Sequence, residues 1–456
     1  MSQAKTFITN PIHINTSSFY PRNYDPLFLL VKSKLKNFQN LEDMLREPLR
    51  GGATPPAYLF YPKHEKGIPF VKTSAITRHF INMNDLHNIN EDFHKTIIKR
   101  SITKPYDVIY SMTGKFMGKA ALCPPIIKEL NMSQNSVVLR TKTPLISAFI
   151  TIFLNSEINK IQVKGQYSIT KQKYINQGKI AKLKVIPMLK EYENTLEDYI
   201  NAIETYYSSL KQITDTIENF NNELIPISKG YNDKHYCYML KPDAITKKIL
   251  LPTTYRVDFQ NAISKFDTYD KSFLEMDRVR KGDEVGSSNY QDEGTPFIKT
   301  SDIINFDVDY EPDCYCPSSL INELNQDIRK GDIIFTKDGK IGEVAIIEED
   351  ANIVISSGFI KYRPKDENER YWLFLLLSSN FGMAFFHKWF VVGSTMAHLR
   401  KDFFNDFFIP EYNKYLTEKY INPLKQCFTN KYNAYNIIQN VKTNILDKFL
   451  EVNKGV

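Results

Sequence analysis

The sequence predicts an α+β protein of two similar globular domains separated by two long antiparallel helices, arranged about a pseudo-twofold axis. Three observations carry that expectation. A series of motifs occurs twice, about 225 residues apart. A heptad stripe runs through the middle of the chain, and a second helical stripe follows the second motif series.

The central stripe lies between Glu191 and Leu224. Leu196, Tyr199, Ile203, Tyr206, Leu210, Ile213, Ile217, Phe220 and Leu224 follow one another in alternating steps of three and four, the a/d seam of a heptad repeat. No Gly or Pro interrupts the stripe until Pro226 stops it. The second stripe covers Leu416 to Leu450, with Leu424, Phe428, Tyr435, Ile438, Ile445 and Phe449 at helical spacing. Pro423 falls near its start, where proline is best tolerated. A helix of about 30 residues is about 45 Å long. That length corresponds to on the order of 13 base pairs of duplex DNA.

In the repeat itself, Gly67–Ile76 returns as Gly294–Ile303. Pro69, Phe70, Lys72, Thr73, Ser74 and Ile76 match Pro296, Phe297, Lys299, Thr300, Ser301 and Ile303. Asp107–Gly118 returns as Asp332–Gly342 with one residue fewer, and each copy closes on Ile-Pro, at Pro187 and Pro410. Strands are expected at Pro69–Val71, Val108–Ser111 and Ser136–Arg140, and again at Phe297–Lys299, Ile333–Thr336, Val344–Ile347 and Gly358–Tyr362. Turns fall at Gly114, Gly118, Gly339 and Gly342. One helix per copy is expected, at Leu145–Asn159 and Tyr371–Lys388.

Composition bounds the function. The chain has 456 residues, 42% hydrophobic and 24% charged, enough for packed cores and against global disorder. A formal net charge of +7 suits an anionic partner. The five cysteines form no zinc quartet and no disulfide framework, which points to a reducing, cytoplasmic setting without a metal site. Met1–Asn15 has no secretory pattern. The apolar window Tyr371–Val392 contains Asn380, His387 and Lys388, so a buried helix is expected there rather than a membrane span. Phosphate-loop, nucleophile-elbow, paired-histidine and amino-methyltransferase motifs are absent, which favours a binding protein over an enzyme.

The positive signal is basic. Eight lysines and no acidic residue lie between Ile158 and Lys190, a pattern that suits phosphate tracking. Lys164, Lys171 and Lys173 stand beside Gln166, Tyr167 and Ser168, which carry hydrogen-bonding groups for base edges. Ser394, Thr395, His398 and Arg400 occupy the matching place in the second copy. Lys115 and Lys340 stand at the glycine turns, with Lys337 beside the second. Lys72, Thr73, Lys299 and Thr300 complete the set of candidate contacts. Plain solvated lysines and simple hairpin turns remain the competing reading of these positions.

Taken together, Gly294–Ile303, Lys330–Gly342, Gly393–Leu399 and Phe408–Pro410, with their first-copy echoes and the two helices, resemble the specificity subunit of Type I restriction–modification systems. The resemblance covers nearly the whole chain. It implies a first target-recognition domain at 1–190, a central spacer helix at 191–227, a second target-recognition domain at 228–410 and a C-terminal spacer helix at 411–456. It also implies that each domain reads one half of a bipartite duplex DNA site. Two methyltransferase subunits and restriction subunits would be the protein partners. The methyltransferase would use S-adenosylmethionine on adenine N6, and this chain would carry no catalytic residue, metal or cofactor. Pro105, Tyr106 and Asp107 stand where Lys330, Gly331 and Asp332 do, so the first copy departs from the pattern there. Two other readings stay open: a methyltransferase or nuclease with an unrecognised active site, and a coiled-coil scaffold.

Overall fold

Both copies of the repeat build the same antiparallel four-stranded sheet. In the first copy the strand order is Arg50–Gly51, Ser136–Leu139, Val108–Ser111, Ala120–Leu122. In the second it is Val279–Lys281, Phe359–Tyr362, Ile333–Thr336, Val344–Ile346. The inner strands are buried at every residue, as expected where both faces of a sheet are covered. Alternation then decides which core each side chain joins. Ile333 and Phe335 face a core with the helices, whereas Ile334 joins Ile298, Ile303 and Ile355 on the opposite face. That opposite face is covered by the Pro-Phe-Val/Ile-Lys-Thr motif, whose Val71 or Ile298 enters the core. Ile68–Val71 runs parallel to Asn131–Met132, and Thr295–Ile298 runs parallel to Val354–Ile355.

This computed structural model describes residues 24–61, 67–169, 173–226, 255–392 and 397–452. The chain divides into two compact units, Met1–Ser208 with Lys431–Val456, and Ser209–Asn430. Each unit contains one copy of the repeat and a share of each long helix. No described helix is long and apolar enough to cross a membrane.

In each copy the one helix expected after the sheet is broken into two. They are Pro144–Leu154 and Glu157–Gln166 in the first copy, and Glu367–Ser378 and Asn380–Trp389 in the second. The break has a local cause. The hydroxyl of Ser156 accepts from the Asn159 N–H at 3.3 Å, and that of Ser379 accepts from the Phe381 N–H at 3.2 Å. A serine oxygen that caps a new helix ends the previous one. The apolar window at 371–392 is this broken pair, with Trp372, Leu373, Phe374 and Leu375 fully buried.

The heptad stripe forms the helix Glu193–Leu224, preceded by a 3-10 turn at Lys190–Tyr192. From Leu196 to Phe220 every seam residue is buried. The second stripe begins with a helical turn at Lys414–Leu416 and a π-helical segment at Thr417–Ile421, then continues as Asn422–Val452. Pro423 lacks an N–H and its ring crowds the preceding turn, which accounts for the wider segment just before it.

Within the second unit the two long helices run antiparallel. Cys427 Sγ lies 3.2 Å from Gln212 Oε1, and Tyr420 donates to Glu223 at 2.9 Å, so later residues of one meet earlier residues of the other. The seam is shared rather than closed by the partner helix alone. In the second unit Phe220 packs edge-on against Trp372 and Tyr420. In the first, Tyr206 stacks on Phe80 at 4.2 Å, and the Tyr207 hydroxyl accepts from the Ile81 N–H at 2.7 Å.

Glu223 accepts from Lys419, from Tyr415 at 2.5 Å and from Tyr420, and these hydrogen bonds hold its carboxyl down at about 2. Its folded value lies below its ordinary one of 4.5, so its contribution is fully present above pH 4.5 and is lost as pH falls toward 2. Glu223→Gln is therefore expected to lower the stability of the second unit at pH 7 and to flatten its pH dependence between 4.5 and 2. Urea unfolding at several pH values, followed by tryptophan fluorescence, checks this. An unchanged pH profile would remove Glu223 from the helix clasp.

Candidate nucleic-acid interface

The glycine turns and the basic stretches, far apart in sequence, meet in the fold. In the first unit Ser168–Ile169 pairs with Lys173–Tyr174 as a short hairpin, Tyr174 against Ser168. Its outgoing strand bridges Thr113 to Tyr174, and the Ile175 N–H donates to the Met112 carbonyl at 3.0 Å. In the second unit Phe390–Val392 pairs with Ala397–Leu399. That hairpin bridges Asp338 to His398, and the Leu399 N–H donates to the Lys337 carbonyl at 2.8 Å. Both turns need the left-handed conformation that glycine adopts at no steric cost, with φ of +66° at Gly114 and +75° at Gly339.

The Lys-Thr motifs lie at a related place in each unit. Lys72 and Lys299 each precede a 3-10 turn, Thr73–Ala75 and Thr300–Asp302. Each lysine extends over an aromatic ring, Lys72 over Phe60 at 5.2 Å and Lys299 over Tyr290 at 3.9 Å. Both are half-buried, as are Thr73 and Thr300. Thr300 and Asp338 both lie beside Gly358. A methyl group added at Gly358 would lie 2.7 Å from Thr300 Cγ2 and 3.8 Å from Asp338 Cβ. The second unit thus gathers Thr300, Lys337, Asp338 and His398 at one end of its sheet.

The candidates differ in what they offer. Lys115 and Lys340 are exposed at the turn tips. Lys115 lies over the Phe116 ring at 4.8 Å, and Lys340 Nζ is 3.6 Å from Glu343. Lys164 is exposed in the last turn of Glu157–Gln166. Gln166 is half-buried, and its carbonyl accepts from Lys179 at 2.6 Å. Lys173 extends over the Tyr167 ring at 5.7 Å. Lys337 is mostly buried, with Nζ 2.5 Å from Asp338. His398 Nδ1 lies 2.7 Å from the other oxygen of Asp338. Burial works to raise the Asp338 carboxyl, but hydrogen bonds from Lys337 and His398 outweigh it and hold it below the usual carboxylate range. Arg400 lies 3.3 Å from Asp402 and over the Trp389 ring. Lys171, Ser394 and Thr395 lie outside the described residues.

The eight lysines between Ile158 and Lys190 do not form one uniform surface. Lys160 pairs with Glu157 at 3.0 Å, Lys179 with the Gln166 carbonyl, and Lys184 with the Phe38 carbonyl at 2.9 Å. Lys179 and Lys184 tie separate segments of the fold together, whereas the Lys160 pair is exposed on one helix. Asp338 is a member of the second site that charge and periodicity did not single out. Its only sequence signal was its place between Lys337 and Gly339.

The aspartates that open the turn motifs have a different task. Arg363 donates to both oxygens of buried Asp332, at 2.8 and 2.9 Å, and the Arg329 N–H caps it at 2.9 Å. In the first unit Arg140 donates to Asp107 at 3.2 Å and the Lys104 N–H at 2.9 Å. Burial raises the Asp107 carboxyl against the pull of those donors. Each pair fixes the strand that leads into the glycine turn.

Comparison with known proteins bears on the second unit first. Residues 274–410 match the family model described as the Type I restriction modification DNA specificity domain. No curated protein matches the chain. Three solved structures match most of this chain. The S subunit of a Type-I restriction-modification system from M. genitalium shares 10% identity over 91% of this chain and 94% of its own, with a TM-score of 0.30. The HsdS subunit from Thermoanaerobacter tengcongensis shares 16% identity over 90% and 95%, with a TM-score of 0.28. A chain from a type I R-M system, solved for its complex assembly and conformational transition, shares 16% over 90% and 96%, also with a TM-score of 0.28.

Proposed function

We propose that the chain is a specificity subunit of a Type I restriction–modification system, which recognises a bipartite duplex DNA site and brings methyltransferase and restriction subunits to it; the match of residues 274–410 to the specificity-domain family supports this reading. Each unit reads one half-site. The observation that carries this reading is the duplicated frame, in which a short hairpin bridges the residue just before a Gly-Lys turn in both units. Lys72, Thr73, Lys115, Lys164, Gln166, Tyr167, Ser168, Lys171 and Lys173 are the proposed contacts of the first unit. Lys299, Thr300, Lys337, Lys340, Ser394, Thr395, His398 and Arg400 are those of the second. The chain itself transfers no methyl group and holds no cofactor. S-adenosylmethionine is used by the partner on adenine.

Exposed lysines at the turn tips act through phosphate. Lys115→Ala and Lys340→Ala are each expected to reduce the slope of log K against log salt by about 1, with no change in the preferred sequence. Fluorescence anisotropy with duplex DNA at several salt concentrations measures the slope. The wider test is adenine-methylation mapping after co-expression with the methyltransferase. Exchange of residues 1–190 for another family member's first domain is expected to change one half of the methylated site only. Unchanged methylation would refute the reading. Turnover by the purified chain alone would favour an enzyme instead.

A further inference from the structure

We propose that the side chain set across from each glycine turn reads a base pair: His398, oriented by Asp338, in the second unit, and Tyr174 in the first. This rests on the DNA-reading proposal above and narrows it to one position per half-site. The motivating observation is a shared backbone with unshared side chains. Thr113 bridges Tyr174 in one unit, and Asp338 bridges His398 in the other. The flanking hydrogen bonds, Ile175 to Met112 and Leu399 to Lys337, are the same in both. Two heads that read different half-sites need a common frame that varies where it meets the bases.

Exposure fits that place. The His398 side chain is 54% exposed and Tyr174 is exposed as a residue at 39%, whereas the Asp338 side chain is 16% exposed. Asp338 is a positioning residue. Its carboxylate only accepts, so the hydrogen of the 2.7 Å contact sits on His398 Nδ1. The atom left for a base is Nε2, on the opposite edge of the ring. On the neutral ring it accepts, which suits the exocyclic amino group of adenine or cytosine in the major groove. Lys337, 2.5 Å from the second carboxylate oxygen, offsets the aspartate charge that would otherwise repel phosphates. Tyr174 presents a hydroxyl, both donor and acceptor, at the equivalent place.

The test uses the complex assembled with its methyltransferase subunits and sequences the methylated sites. His398→Ala is expected to lose roughly tenfold preference at one base pair of one half-site, with the other half-site unchanged. Tyr174→Ala is expected to do the same in the other half-site. Asp338→Asn separates orientation from structure. Lys337, a donor only, holds the amide oxygen, so the amide NH2 faces Nδ1 and favours the tautomer with hydrogen on Nε2, which shifts the preferred base toward guanine. A merely structural aspartate would weaken methylation without changing the base. Three results overturn the proposal: an unchanged motif in His398→Ala, relaxation spread over both half-sites, or loss of all methylation in a complex that still assembles and binds duplex. A wild-type complex that methylates no bipartite motif would instead refute the underlying reading of the chain, and this proposal with it.

Discussion

Asp332→Ala is expected to destabilise the second unit by about 3–5 kcal/mol, the usual result of removing one partner of a buried ion pair. Asp332 is 1% exposed and lies between Arg363, at 2.8 Å, and Lys361, at 3.6 Å. Lys361 is itself only 6% exposed, and burial already pulls its ammonium below the ordinary lysine range against the attraction of Asp332. The substitution leaves that cation buried without the carboxylate and leaves the Arg329 N–H without its acceptor. For a unit of this size the loss corresponds to a fall in Tm of roughly 10 °C. Asp332→Asn keeps an acceptor and should cost less. Both tryptophans of the chain, Trp372 and Trp389, lie in the second unit, so thermal unfolding by tryptophan fluorescence isolates the effect. A change of less than about 1 kcal/mol would mean that solvation replaces the pair at no loss.

Phe220→Ala is expected to cost a similar amount, about 3–5 kcal/mol. The ring is fully buried and packs edge-on against Trp372, at 5.7 Å, and Tyr420, at 5.2 Å, and parallel to Phe266 at 6.4 Å. These rings come from the long helices and from the globular part of the same unit. One truncation therefore loosens both. Urea unfolding monitored at Trp372 should show a lower midpoint, and the proposed complex with methyltransferase should weaken on gel filtration. Phe220→Leu keeps most of the buried volume and should recover at least half of the stability. A midpoint that falls as far for leucine as for alanine would show that ring geometry, not volume, holds the helices.

Much of the frame is legible in the amino-acid sequence. Ile333–Thr336 and Val108–Ser111 appear as strands at the bounds that their apolar runs suggested, and Gly114 and Gly339 occupy left-handed turns. The heptad spacing identified each buried seam residue from Leu196 to Phe220. The helix after each sheet was read as one because its apolar period continues through Asn155 and Ser379, while a hydroxyl decides locally to start a new helix. By charge alone the lysines between Ile158 and Lys190 form a single class, although Lys179 and Lys184 are bound to carbonyls and Lys164 and Lys173 are exposed. Charge is visible in a sequence, but the partner of a long flexible side chain is not.

The amino-acid order alone determined that the chain is a duplication, that each copy is α+β, and that two long helices carry apolar seams, because periodicity and repeated turn residues are local properties. Only the tertiary structure decided what covers those seams: Phe80 and Ile81 meet the tyrosines of one unit, and Trp372 and Tyr420 meet Phe220 in the other. It also decided that Asp338 belongs with His398, sixty residues away, because a β-bridge joins backbones whose separation along the chain sets no preference of its own. Contacts of that kind follow from packing and hydrogen-bond satisfaction over the whole unit, and no window of sequence contains them.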